Sequence, residues 1–136
     1  MPPEASGDGR APAADRVLAG CTLLAFALWL ACVGPVRTWA SGWGVREAWA
    51  LGVAPSFFAG ATLALWQSLA TGARAVASVV VAVVLVALAE AAQVLHPRST
   101  ADLWDVAAGT VGALLAAPVV VWRRGGPEAS GARGRA

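Results

Sequence analysis

The chain has 136 residues, of which 58% are hydrophobic and 13% are charged, whereas soluble domains carry about 25% charged residues. This length and composition predict one small membrane domain rather than a soluble globular protein. The net charge is only +2, and no basic patch with interleaved aromatic residues stands out, so a nucleic-acid-binding surface is not expected.

The amino-acid usage is skewed, because Lys, Asn, Ile and Tyr are absent. These residues are encoded by AT-rich codons, which indicates a GC-rich, and therefore bacterial, source. The two cysteines, Cys21 and Cys32, lie 11 residues apart in one apolar run. On a helix they would be roughly 16 Å apart, too far for a disulfide, and no metal-ligand cluster or cofactor motif is found.

Residues 1–16 are rich in Pro, Ala, Gly and charge and predict a disordered tail. Twenty uncharged residues then separate Arg16 from Arg37, enough to cross a bilayer core of about 30 Å. We predict a first transmembrane helix over 17–36 and expect Pro35 to mark its end. A lipoprotein box at Leu18–Cys21 is not expected, because a polar, Pro-rich stretch precedes it.

A short connection that holds Trp39 and Trp43 leads to a second uncharged run, predicted as a helix over 48–71. Pro55 either kinks the start of this helix or marks its first turn. Gly52, Ser56 and Gly60 recur every four residues and would give a flat ridge for close helix contact. An equally simple explanation is that small residues are common throughout this chain.

The segment Thr71–Arg74 reads as a tight turn. The Val-rich run after it is too long for an ordinary strand, and an open strand cannot span a bilayer, so we predict a third helix over 75–96. A fourth is predicted over 104–122, where Gly109 and Gly112 allow close packing. Residues 123–136 read as a basic, flexible tail. The predicted fold is thus all-α, a polytopic bundle of four transmembrane helices over 17–122.

Arginine counts set the predicted orientation. With four spans both termini share a side, which then holds seven arginines against three on the other side. The positive-inside rule places both termini in the cytoplasm and the joint between the third and fourth helices outside. The predicted location is the bacterial inner membrane, where the partners to consider are the lipid bilayer and further copies of the same chain.

That joint collects many of the chain's polar side chains. Glu90 is the only acidic residue inside an apolar run, and an ionisable group there is a functional hypothesis by default. Gln93 is on the same helix face, Pro97 stops the helix, and Arg98 follows. Alternatively, Asp102 and Asp105 stabilise only the next helix N-terminus, with Ser99 or Thr100 as N-cap. His96 is expected to be a loop residue without a catalytic role.

The polar residues follow an ordered spacing, E-x-x-Q-x-x-x-P, with Asp five and eight residues after the Pro and Gly at fifteen. This pattern resembles the C-terminal motif of the VanZ-like family of small bacterial membrane proteins. The matching positions are Glu90, Gln93, Pro97, Asp102, Asp105 and Gly112. Ser99 stands at the family's Arg position, Gly109 stands at its Asn position, and the family's D-K-x-x-H motif has no counterpart.

The resemblance implies a role at the bacterial envelope, since the founding member is associated with resistance to the glycopeptide teicoplanin. The first hypothesis is a non-enzymatic protein that binds or senses a polar lipid head group or a lipophilic antibiotic through Glu90, Gln93, Arg98, Asp102 and Asp105. A second is an intramembrane enzyme on a lipid-linked envelope substrate, with Glu90 or Asp105 as general base. A third is a structural bundle that modulates a partner.

Overall fold

The structure, a computed structural model, describes residues 12–39, 45–95 and 102–125. Every regular element in these ranges is helical, which confirms the all-α class for this part of the chain. The elements are α1 (Pro12–Ala31), a π-helical turn (Cys32–Val36), α2 (Arg37–Trp39), α3 (Val45–Thr71), α4 (Ala75–Gln93) and α5 (Leu103–Gly125).

Three helical segments are long and apolar enough to cross a membrane: Ala13–Val36, Ala75–Gln93 and Leu103–Arg124. The helix α4, for example, has 19 residues, which at about 1.5 Å each gives roughly 28 Å. The helix α3 is not among these three segments. The side chains of residues 45–51, the first two turns of α3, lie outside the described part of the chain.

Several helix ends differ from the sequence-based prediction. The helix α1 begins at Pro12 rather than residue 17, so the last residues of the expected N-terminal tail are helical. At its other end α5 continues through Arg123 and Arg124 to Gly125, residues that the sequence assigned to a flexible tail. The helix α4 ends at Gln93 rather than residue 96. Residues 1–11 and 126–136 of the predicted tails lie outside the described residues.

Pro35 does not end the first helix as expected. It lies inside the π-helical turn Cys32–Val36, and helical structure continues to Trp39. Proline lacks an N–H and its ring crowds the preceding turn, and the wider π turn is one way in which a helix accommodates such a residue. Pro55 is likewise inside α3, well beyond its first residue Val45, and so does not mark the first turn.

Glycines bring the backbones of α3 and α5 into direct contact. A Cβ atom added at Gly60 would overlap the Gly109 carbonyl, and one added at Gly112 would overlap the carbonyl of Phe57. The expected small-residue ridge is therefore used at Gly60, but not at Gly52, where a Cβ would meet nothing within 4 Å. Together with the bond from Arg123 to the Ser68 carbonyl near the C-terminal ends of both helices, the Gly60–Gly109 contact shows that α3 and α5 run parallel.

The α3–α5 pair forms the most extensive helix interface, and α1 and α4 pack against it. The shared core consists mostly of small residues, such as Ala64, Ala82 and Ala113. Large apolar side chains point outward instead, with Leu24 63% and Leu115 63% exposed. Small residues inside and large apolar residues outside are the arrangement expected where lipid replaces water around a helix bundle.

The turn between α3 and α4 confirms the tight connection read from Thr71–Arg74. Gly72 has a φ of 65°, a left-handed conformation that glycine adopts at little cost. Its N–H donates to the Ser68 carbonyl at 2.9 Å, the single bond of an αL helix cap. The α3–α4 turn, the start of α1 and the end of α5 all lie at one end of the bundle, because Arg123 contacts Asp15 and Ser68.

Candidate functional site

Glu90 lies on the buried face of α4. This face is formed by residues spaced four apart, namely Ser78, Ala82, Val86 and Glu90. The spacing keeps all four on one side of the helix, and that side packs on α3 and α5. Glu90 is only 7% exposed, so its carboxyl group is held inside the bundle rather than in the surrounding lipid.

Both carboxyl oxygens of Glu90 accept hydrogen bonds from N–H groups. Oε1 accepts from the Gln93 side-chain amide at 3.0 Å, across one helical turn. Oε2 accepts from the backbone N–H of Asp102 at 3.4 Å, a long bond that joins α4 to the start of α5. A buried acidic group needs such partners, because an unpaired one is costly in an apolar interior.

Asp102 caps the N-terminus of α5. The helix begins at Leu103, and the Asp102 Oδ1 atom accepts the Trp104 N–H at 2.9 Å. This is the N-cap bond that was expected from Ser99 or Thr100. Those two residues lie outside the described ranges, and Asp102 makes the bond. The capping interpretation of Asp102 is therefore correct for its side chain.

Glu90 supplies a second part of this cap. In a capping box the backbone N–H of the N-cap residue is bonded by an acid or amide three residues later. Asp105 occupies that later position, and its own N–H donates to the Asp102 carbonyl at 3.0 Å. The Asp102 N–H nevertheless donates to Glu90 on the neighbouring helix. The cap of α5 is thus completed by a residue of another helix, Glu90 of α4, and this contact ties the end of α4 to the start of α5.

Three acidic side chains surround the N-terminus of α5. Glu90 is buried, Asp105 is half-buried and Asp102 is exposed. A helix N-terminus carries partial positive charge, which favours carboxylates in or near its first turn. An ionised carboxylate is an acceptor only, so this end of the bundle is suited to bind donor groups such as hydroxyls or ammonium ions.

The structure brings together Glu90, Gln93 and Asp102, and it places Asp105 one turn farther along α5. Gly112 lies deeper in α5, where it permits the contact with Phe57. His96, Pro97 and Arg98 lie outside the described residues. Within the described part of the chain, no three His, Cys, Asp or Glu residues are arranged to hold a metal ion.

A second polar network, which the sequence did not predict, occupies the opposite end of the bundle. The Arg123 side chain, 6% exposed, forms an ion pair with Asp15 at 2.6 Å. It also donates to the Ser68 carbonyl at 2.8 Å, and Arg124 donates to the Gly72 carbonyl. Arginines therefore satisfy carbonyls at the C-terminus of α3, where positive charge is favourable. The available signal was the acid Asp15 just before the first uncharged run, on the side predicted to hold most arginines.

Comparison with known proteins gives no relative for this arrangement: no family model, curated protein or solved structure matches the chain.

Proposed function

We propose that the chain is an integral protein of the bacterial inner membrane in which α1, α3, α4 and α5 all span the bilayer. Three of these helices have the required length and apolar character. The case for α3 is its backbone contact with α5, which runs parallel to it, since the ends of both helices meet at the bond from Arg123 to the Ser68 carbonyl. Exposed Trp39 and Trp104 at one end, with Trp66 and Trp122 toward the other, fit two interfacial belts.

In this proposal both termini are cytoplasmic. Arg16, Arg74, Arg123 and Arg124 belong to the end that holds the α1 N-terminus and the α3–α4 turn, whereas Arg37 and Arg46, in α2 and the first turn of α3, belong to the other end. Glu90, Asp102 and Asp105 belong to the other end. This charge separation agrees with the positive-inside rule and directs the acidic end outward.

We further propose a VanZ-like role at the envelope, in which the outward acidic end binds a polar lipid head group or a lipophilic glycopeptide antibiotic. The observation that carries this proposal is the burial of Glu90 with both oxygens held by N–H groups. A charge kept within an apolar helix lowers the favourable free energy of insertion by roughly 2.5–3.5 kcal/mol on translocon scales. Capping α5 does not require such a residue, since Asp102 alone makes the side-chain cap.

The chemical class of the ligand can be inferred from the hydrogen-bond acceptors at this end of the bundle, the carboxyl oxygens. A hydroxyl-rich or amine-bearing head group would donate to the carboxyl oxygens of Glu90 and Asp102, while its acyl chain lies along the apolar outer surface of α4 and α5. Exposed Leu88, Val94 and Leu103 border this end of the two helices. A lipid-linked envelope precursor and a lipidated glycopeptide share this combination of polar head and apolar chain.

The experiment is a susceptibility assay in a bacterial host that expresses the chain at controlled abundance. We expect wild type to change susceptibility to a lipidated glycopeptide and Glu90→Gln to abolish that change at equal membrane abundance. The matched control is Ser78→Ala, which alters another buried polar residue of the same α4 face at the far end of the helix. A wild-type response from Glu90→Gln would refute the role of the Glu90 charge.

A further inference from the structure

The arginine end of the bundle carries an unbalanced positive charge. Four described guanidinium groups lie there, on Arg16, Arg74, Arg123 and Arg124. Asp15 is the acid beside them, and it is already paired with Arg123. The first turn of α4, which opens at this end, holds no acidic residue. The described residues of this end therefore have an excess of three positive charges.

The three arginines other than Arg123 are exposed and come from separate parts of the fold. Arg16 is on the first turns of α1, beside Asp15. Arg74 immediately precedes α4, and Arg124 ends α5 with a bond to the Gly72 carbonyl. The Asp15–Arg123 pair and the Arg124–Gly72 bond hold these segments together, so the three exposed guanidinium groups border one end of the bundle.

Exposed tryptophans place this end at the level of lipid head groups. Trp122 on α5 is 50% exposed and lies two residues before Arg124, and Trp66 on α3 is 55% exposed and lies eight residues before Arg74. Tryptophan rings collect at the boundary between hydrocarbon and head groups. Guanidinium groups just beyond them would lie among lipid phosphates, and arginine binds phosphate by paired N–H bonds.

We infer that Arg16, Arg74 and Arg124 form a binding surface for anionic phospholipid head groups. This surface is independent of the acidic site at the opposite end. Its partner is the phosphate and net negative charge of the lipid, not a protein or a soluble anion. The recognition is electrostatic, so it weakens as ionic strength rises and the Debye length falls below about 10 Å.

The test uses the full chain in mixed micelles of phosphatidylglycerol and phosphatidylcholine, with retained lipids counted by native mass spectrometry. We expect wild type to retain phosphatidylglycerol preferentially, and each arginine to contribute about fivefold to that preference. The double variant Arg16→Gln/Arg74→Gln removes two charges without removing a hydrogen bond or ion pair found among the described residues. The preference should therefore fall by about 25-fold, and further when Arg124→Gln is added.

The charge-matched control is Arg37→Gln/Arg46→Gln, which removes two arginines predicted for the other side of the membrane and should leave the preference unchanged. Equal loss in the control and test variants would overturn the assignment, because it would show a response to net charge alone. Displacement of the lipid by inorganic phosphate, at an ionic strength matched with sodium chloride, would overturn the choice of lipid as partner. A negative result for this lipid-binding surface would not affect the conclusion drawn from the Glu90 susceptibility assay, because the two experiments change different residues and measure different quantities.

Discussion

Glu90 and Asp102 join two helices through a single bond, in which the Asp102 backbone N–H donates to the Glu90 carboxyl at 3.4 Å. The same Asp102 caps α5 with its side chain. Glu90 thus accepts a hydrogen bond from the N-terminus of α5, and Asp102 is the N-cap residue of that helix. This relationship makes Glu90 both a structural partner of α5 and the most unusual charge in the chain, and the two roles need separate tests.

Truncation of Glu90 tests its structural role. Glu90→Ala would remove the acceptor of both N–H groups, and a typical intramolecular hydrogen bond contributes about 0.5–1.5 kcal/mol to stability. We expect a lower free energy of unfolding in a detergent denaturation series. Glu90→Gln keeps a carbonyl acceptor for Asp102 and should cost less than the alanine variant. Equal stability of Glu90→Ala and wild type would show that the bonds at this joint do not stabilise the bundle.

The N-cap of α5 gives a prediction for Asp102. Asparagine caps nearly as well as aspartate, whereas alanine costs about 0.5–2 kcal/mol. Asp102→Asn should therefore retain the unfolding midpoint of wild type, and Asp102→Ala should lower it. Loss of stability in both variants alike would indicate that the charge of Asp102, rather than its cap bond, matters for folding.

Glycine contacts predict a sharp difference between positions. Gly60→Ala and Gly112→Ala would force the α3 and α5 backbones apart, and overpacking commonly costs 1–3 kcal/mol or more. Gly20→Ala and Gly52→Ala are the controls, since a Cβ at either meets nothing within 4 Å. We expect the controls to retain or slightly gain stability from higher helix propensity. Tolerance of Gly60→Ala would mean that α3 and α5 are not in backbone contact.

The ion pair between buried Arg123 and Asp15 can be tested by a double-mutant cycle. Asp15→Asn leaves the charge of Arg123 buried without its ionic partner, and breaking a buried pair in this way costs about 3–5 kcal/mol. Because Asp15 is 39% exposed, we expect a value below this range. Unfolding of Asp15→Asn, Arg123→Gln and the double variant measures the coupling. Additive effects in the cycle would show that the pair contributes nothing beyond its separate residues.

The sequence supports the helical class and the hairpin between α3 and α4, because uncharged runs and the Gly72 turn are local signals. The location of Glu90 near a helix end is also readable from its position before Pro97. Contacts between helices are not local. The burial of Arg123 depends on Asp15, 108 residues earlier, and neither run of residues contains information about the other.

Ambiguous local signals account for other differences. Pro35 is an ordinary helix-ending signal, yet the π turn absorbs it, and helical structure continues to Trp39. The small residues at positions 52, 56 and 60 share one spacing, but only a packed neighbour distinguishes Gly60 from the open position of Gly52. The bond from Asp102 to Glu90, rather than to Asp105, likewise requires knowledge of how α4 lies against α5.

The central claim is that the Glu90 charge serves a ligand and not only the fold. The most direct measurement is mass spectrometry of molecules that co-purify from bacterial membranes with wild type, Glu90→Gln and Arg16→Gln/Arg74→Gln. Our account predicts an amine-bearing or hydroxyl-rich amphiphile on wild type and on the arginine variant. It predicts loss of this molecule from Glu90→Gln at equal yield and unfolding midpoint. The same amphiphile retained in full by Glu90→Gln would contradict the account.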